Sequence, residues 1–486
     1  MSESESKDKL SRRQFLKAAG ATSAVAGGVG LGFSGYAAGK DPQTYVGWEN
    51  EEGAGERFNH ERYEVDEPTY TRVGPTSRPD ARVENIFERR MRFRMQYRAV
   101  QQGGEFDELM SAYYEAHPED LELDRINQEE IMPKHMADAR AAGDQYLLAE
   151  AWSQAMGAVS PRESGGPPDE ADFPRPRRGG GPVEPARLKD PAKTSQLIKK
   201  VAHQFGSTLV GITELNPDWV YLHPLRGRGF ANQDEPLEIP AHWEYAIVVG
   251  SPMSWDPMYA NPTYGTSNDA YSRSRIIATR LAAFIKALGY PARTHIPGNS
   301  YDLMVPPIAI DAGLGEQGRH GIMITPEVGS NFRPAVVTTN IPMEVDRPID
   351  FGVQDFCAHC SICSDVCPSG AIPTEKTEVR GYLRYKADTA KCQNFWNSNL
   401  GSMGCRICVS VCPYTRKANW LHRTALKVTA NDPTGLSERA LTALQKSFYE
   451  GPDPESYYMP SLGGENATYR DPPWWLKTED FIDADL

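Results

Sequence analysis

All eight cysteines of this 486-residue chain fall between Cys357 and Cys412, and no other feature restricts its fold as much. A disulfide framework ties distant parts of a chain together, whereas cysteines crowded into one stretch read as metal ligands. The first group runs Cys357-x2-Cys360-x2-Cys363-x3-Cys367-Pro368. The second runs Cys405-x2-Cys408-x3-Cys412-Pro413, with Cys392 thirteen positions upstream. Structural zinc also takes four thiolates, but x2, x2, x3 followed by proline is the spacing that builds paired iron–sulfur cubanes. There, three close thiolates hold one cubane and the fourth cysteine crosses to the other. One [4Fe–4S] cluster then takes Cys357, Cys360, Cys363 and Cys412; the other takes Cys392, Cys405, Cys408 and Cys367. Such a module moves electrons and names no substrate.

The N-terminus is an address. Ser11-Arg12-Arg13-Gln14-Phe15-Leu16-Lys17 has the twin-arginine pattern, and a mildly apolar Ala/Gly stretch leads to small residues at Ala37, Ala38 and Gly39. That pattern marks a signal for export of folded protein, and the stretch is too short and weakly hydrophobic for a good membrane span. Residues 1–39 therefore stand apart from the fold. A formal charge of −13 leaves no basic surplus to neutralise phosphates, so nucleic acid is not an expected partner.

Between these ends the chain divides by composition. Residues 40–160 read as loop mixed with helix, notably at 84–98 and 137–158. Residues 161–187 are thick with Pro, Gly and Arg and read as a linker or surface loop. From 188 to 349 the pattern becomes α/β: a helix over 195–205, β-rich runs at 208–213, 246–250, 321–325 and 335–339, and a long helix over 271–288. Asn268 or Asp269 can cap that helix, which places Tyr271 in its first turn. The cysteine module occupies 350–420. A tail rich in Trp, Tyr and Pro, 421–486, is expected to wrap over the rest.

Gly313-Leu314-Gly315-Glu316-Gln317-Gly318 matches the dinucleotide fingerprint, but that fingerprint must open a helix and here the chain runs on into a β-like segment. Gly313 and Gly315 are read instead as a loop passing close to some other bulky cofactor.

The twin-arginine start, the paired cysteine groups and several stretches between them together resemble the respiratory reductive dehalogenases. Those stretches are Asp218-Trp219-Val220-Tyr221, Ala270-Tyr271-Ser272-Arg273, Ala312-Gly313-Leu314-Gly315, Ile324-Thr325-Pro326-Glu327 and Asp350-Phe351-Gly352-Val353. The resemblance covers most of 195–420 and is loosest over 41–190 and the tail. It implies an α+β, α/β architecture: a nitroreductase-like domain holding a corrinoid, beside a bacterial-ferredoxin-like domain with two clusters. It also implies a base-off corrinoid without a protein lower ligand, and the chain has no Asp-x-His-x-x-Gly to supply one.

Carried over by resemblance, Tyr271 is the proton donor, Arg333 the cation beside it, Asn299 a pocket asparagine and Trp396 an aromatic wall of the substrate pocket. The residue types suit the work, because a permanently charged guanidinium favours the ionised form of a neighbouring phenol. The implied reaction removes halogen from an organohalide in anaerobic respiration. The implied partners are the twin-arginine translocase, a small integral-membrane anchor protein at the outer face of the cytoplasmic membrane, and a second copy in a homodimer. Two alternatives share the cysteine module: an exported electron-transfer subunit, and an enzyme like epoxyqueuosine reductase.

Overall fold

The computed structural model describes residues 60–142, 172–174, 184–225, 234–255, 258, 266–296, 301–398, 405–416, 420–432 and 434–448. The export segment, Asn299 and most of the Pro/Gly-rich stretch lie outside them.

The N-terminal part is helical: α1 (Ile86–Gln101), α2 (Glu108–Ala116), α3 (Pro118–Ile126) and, after a π-turn at Asn127–Ile131, α4 (Met132–Ala142). Side-chain caps start the first two, Asn85 for α1 and Asp107 for α2. What fastens this part to the cysteine module is a buried ion network. The Asp124 carboxylate, fully inside, accepts from Arg89 Nε at 2.9 Å and from Arg90 Nε at 2.8 Å. Arg90 then donates to Gln393 and Asn394 at 2.8 and 2.6 Å.

The middle of the chain is one antiparallel sheet with helices on both faces. Helix α5 (Pro191–Gln204) leads into β1 (Leu209–Glu214) and β2 (Tyr245–Pro252). Then come α6 (Thr266–Ala287), β3 (Ala292–His295), α7 (Val305–Asp311), a small hairpin of β4 (Glu316–Gln317) and β5 (Met323–Ile324), and β6 (Phe332–Thr339). The four long strands lie in the order β1-β2-β6-β3, all antiparallel. Side chains alternate across a strand, so the sheet feeds two cores. Ile247, Val249, Ala335 and Val337 pack on Ile277, Ala278 and Leu281 of α6. Ala246, Val248 and Val336 face Ile308 and Ala309 of α7 with Trp219 and Leu303. Each fully buried Val, Ile or Leu here contributes roughly 1.5–3 kcal/mol relative to exposure.

Two expectations change. Helix α6 begins at Thr266, so Asn268 and Asp269 lie inside it and Tyr271 sits in its second turn. Asp269 pairs with Arg273 one turn on at 2.7 Å instead of capping. The Pro/Gly-rich stretch is also more than a surface loop. Its Asp172 is buried, accepting from Arg293 Nη1 at 3.0 Å and lying 2.9 Å from His242 Nε2.

The cysteine module carries α8 (Val353–His359), α9 (Ile362–Asp365), a hairpin of β7 (Thr377–Val379) and β8 (Tyr382–Arg384), α10 (Thr389–Ser398) and α11 (Ile407–Ser410). Its core joins the cysteines to Phe351, Val353, Phe356, Ile407, Val411 and Tyr414. The start of the tail forms α12 (Trp420–Thr429) and α13 (Leu436–Phe448), which pack on this core through Leu426 and Leu441. No described helix is long and apolar enough to cross a membrane.

Candidate functional site

The fold sorts the eight sulfurs into two sets. Cys357, Cys360, Cys363 and Cys412 line one cavity together with Arg319, His320, Ile324, Phe356, Pro413 and Tyr414. In the second set, Cys408 is within electrostatic reach of Cys405, Cys392 and Cys367. Across the two sets, Cys363 is within electrostatic reach of Cys408. Among the described residues no three His, Cys, Asp or Glu side chains converge closely enough to hold a single metal ion; the first four cysteines ring a cavity instead.

The donor chemistry fits a cationic cluster core. Burial pushes the thiols of Cys392 and Cys412 up to about 11 and that of Cys405 to about 12, with Cys357, Cys363 and Cys408 raised as well. Bare, these thiols keep their protons in a dry core; bound iron reverses the preference and makes them thiolates.

The second set borders the sheet domain. Arg333 opens β6 opposite Ser251 of β2, is almost wholly buried, and donates from Nη1 to the carbonyls of Phe332 and Ser330 at 3.0 and 3.3 Å. Its own carbonyl accepts from Ser274 Oγ at 2.6 Å, which ties β6 to the turn of α6 that follows Tyr271. Burial pushes the Arg333 guanidinium down to about 10; nearby Arg406 pushes the same way, and Tyr271 and Cys408 pull it back. Tyr271, Arg333, Arg406 and Cys408 are thus one electrostatic neighbourhood. Arg333 Nε is buried with no hydrogen-bond partner among the described residues. A buried polar group left over in this way marks room for a ligand or water.

Arg406 spans the junction. It donates from Nε to Ser267 of α6 at 2.7 Å and from Nη1 to the Cys405 carbonyl at 2.7 Å, and its guanidinium lies 5.6 Å from the Trp396 ring centroid. Trp396, one turn beyond Cys392 on α10, also approaches Phe87, with centroids 6.5 Å apart. Tyr271 is also within electrostatic reach of Tyr301, whose phenol is pushed up by burial and by Tyr221 and Tyr271.

Residues 356–415 match the 4Fe-4S double cluster binding domain family, and residues 9–28 match the twin-arginine translocation pathway signal. The tetrachloroethene reductive dehalogenase of Sulfurospirillum multivorans is 33% identical over 273 residues, 49% of this chain and 53% of that protein. That of Dehalobacter restrictus is 29% identical over 286 residues, 49% of this chain and 51% of that protein. A solved catabolic reductive dehalogenase superposes with a TM-score of 0.59 at 25% identity, covering 82% of this chain and 50% of its own. The chain is related to the reductive dehalogenases. It spans about half the length of the curated relatives it matches.

Against that kinship, the residues named from sequence fall into three classes. Tyr271 and Arg333 share an electrostatic neighbourhood with Cys408, and Trp396 lies beside Cys392. Asn299 lies outside the described residues. Gly313 and Gly315 are explained by the chain itself. Gly313 has φ +70°, and a Cβ there would stand 2.3 Å from the Arg347 carbonyl oxygen; one on Gly315 would stand 2.0 Å from that of Ile324. Close packing against the chain's own backbone accounts for both glycines. Arg319, Arg406, Tyr301 and His320 were not singled out from sequence. Their importance depends on which cysteines they meet after folding, and spacing does not carry that.

Proposed function

We propose that this chain is a corrinoid-dependent reductive dehalogenase in which two [4Fe–4S] clusters feed electrons to a corrinoid held beside Tyr271 and Arg333. The observation that carries the reading is the electrostatic neighbourhood that half-buried Tyr271 and buried Arg333 share with Cys408 of the second cysteine set, in a relative of reductive dehalogenases. One solved relative with a TM-score of 0.59 is described for B12-dependent dehalogenation. When bound, a reduced corrinoid supplies a low-potential cobalt centre able to break a carbon–halogen bond; the protein supplies position and electrostatics.

The residues then divide the work. Cys357, Cys360, Cys363 and Cys412 would hold one cluster and Cys392, Cys405, Cys408 and Cys367 the other, with Cys363 within electrostatic reach of Cys408; clusters so held would supply electron transfer. Tyr271 delivers a proton to substrate carbon from its phenol oxygen. Arg333, held by two backbone carbonyls, fixes a positive charge beside that oxygen and stabilises the phenolate left behind. Trp396 walls the substrate pocket next to Arg406, and Asn299 orients the substrate. The corrinoid and substrate domain is 188–349 and the cluster domain 350–420. A base-off corrinoid without a protein lower ligand agrees with the missing Asp-x-His-x-x-Gly. We further propose attachment at the outer membrane face through a small anchor protein, and a homodimer.

Tyr271→Phe tests the assignment. Turnover of an organohalide should disappear while iron and cobalt contents stay at wild-type values. Near-normal turnover in that variant would remove Tyr271 from the proton-donor role.

A further inference from the structure

Gly318 ends the glycine-rich stretch, and the next residue, Arg319, is delivered straight into the wall of the first cysteine cavity. Its guanidinium is buried and each of its three nitrogens donates, but only to neutral acceptors. Nε donates to the Cys360 carbonyl at 3.2 Å, Nη2 to the Cys357 carbonyl, and Nη1 to the carbonyls of Thr374 and of Pro373, the latter at 3.4 Å. The Tyr385 ring covers one face, its centroid 4.7 Å from the guanidinium carbon. The backbone N–H of Arg319 points at Cys357 Sγ, 3.4 Å away. Among the described residues no carboxylate pairs with Arg319, whereas the buried Arg89, Arg90 and Arg293 each have one. Arg333 and Arg406, buried and likewise without a carboxylate ion pair among the described residues, lie near Cys408 of the second cysteine set.

A buried, unneutralised guanidinium is costly unless an anion stands beside it. Four thiolates around a [4Fe–4S] core form such an anion, because their negative charge exceeds the positive charge of the core. We infer that Arg319 is the built-in counter-charge of the first cluster: a positioning residue that holds Cys357 and Cys360 through their carbonyls and raises that cluster's reduction potential. The inference rests on the reading of Cys357, Cys360, Cys363 and Cys412 as cluster ligands. The sign follows from charge balance. Reduction adds one electron to the cluster and no other atom, so a fixed positive charge beside it favours the reduced form. A direct N–H···S contact acts in the same direction. The stretch that mimics a dinucleotide fingerprint thereby has a different employment, as a close-packed arm that carries a cation to a cluster.

The test is a redox titration of anaerobically prepared full-length protein, with a chemical reductant and mediators, read by electron paramagnetic resonance. Arg319→Gln keeps hydrogen-bond donors and removes the charge. It should make one of the two clusters about tenfold or more harder to reduce, a downward shift of about 59 mV for one electron, and leave the other in place. Arg319→Lys should stay close to wild type. An unshifted potential in Arg319→Gln, or a shift in Arg319→Lys as large as in Arg319→Gln, overturns the inference. If Arg319→Gln fails to load iron while Arg319→Lys loads both clusters, the charge itself is required and the inference stands. If neither loads, Arg319 is only a framework residue and the inference falls. Wild-type protein without iron would instead sink the cluster reading on which all of this rests, so the two failures are distinguishable.

Discussion

Glu316 gives the sharpest pH prediction in the molecule. It follows Gly315, is fully buried, and accepts from the backbone N–H groups of Phe351 at 2.8 Å and Val353 at 3.1 Å, where the chain turns into the helix that carries Cys357. Burial, and then the charge of Asp350, push its carboxyl up to about 7 against an ordinary 4.5, with the two backbone donors pulling the other way. The folded protein therefore binds this proton more tightly than the unfolded chain does. Its stabilising contribution is complete below about pH 4.5 and is lost as pH rises through about 7. Integrating the linkage between about pH 5.5 and pH 7.5 gives a loss of about 2 kcal/mol from this one group. Glu316→Gln keeps an acceptor oxygen for the two N–H groups and cannot titrate, so that share of the pH dependence should vanish. The assay is anaerobic urea unfolding of wild type and variant at both pH values, comparing the change in unfolding free energy. Parallel pH dependences, differing by less than about 0.5 kcal/mol, would refute the reasoning.

Two further perturbations probe the framework. Asp124→Ala strips the shared carboxylate from Arg89 and Arg90 and should destabilise the protein by about 3–5 kcal/mol, read by denaturant midpoint; a loss below about 1 kcal/mol would show that the network is solvated in solution. Gly315→Ala drives a methyl group against the Ile324 carbonyl and should cost about 1–3 kcal/mol, with a thermal melt as the check; a neutral result would mean that the β4–β5 hairpin shifts freely.

The parts legible in the sequence are those written locally. Short β-rich runs announced β1, β2 and β6, and the Ile277, Leu281, Phe284, Leu288 stripe announced α6, because local composition and helical spacing are written directly on the chain. The spacing of the eight cysteines suggests two sets of four, as two cubanes sharing ligands would need, and Cys357, Cys360, Cys363 and Cys412 line one cavity. Strand β3 was missed because its polar residues are buried through distant partners: Arg293 by Asp172, His295 by Thr338 at 3.0 Å. The start of α6 was misplaced because Asp269, a natural cap, spends its carboxylate on Arg273 and Ser254. At Gly313 and Gly315 the sequence alone does not separate two demands, because close approach to a backbone and close approach to a cofactor require the same residue. Arg319 had no local signature at all.

The most direct test of two cubanes working beside a corrinoid is a count of iron, sulfide and cobalt in anaerobically prepared protein. About eight irons, about eight sulfides and one cobalt per chain are expected. About eight irons without cobalt, after reconstitution with a corrinoid, would contradict the dehalogenase reading, leave an electron carrier, and void the roles given to Tyr271 and Arg333.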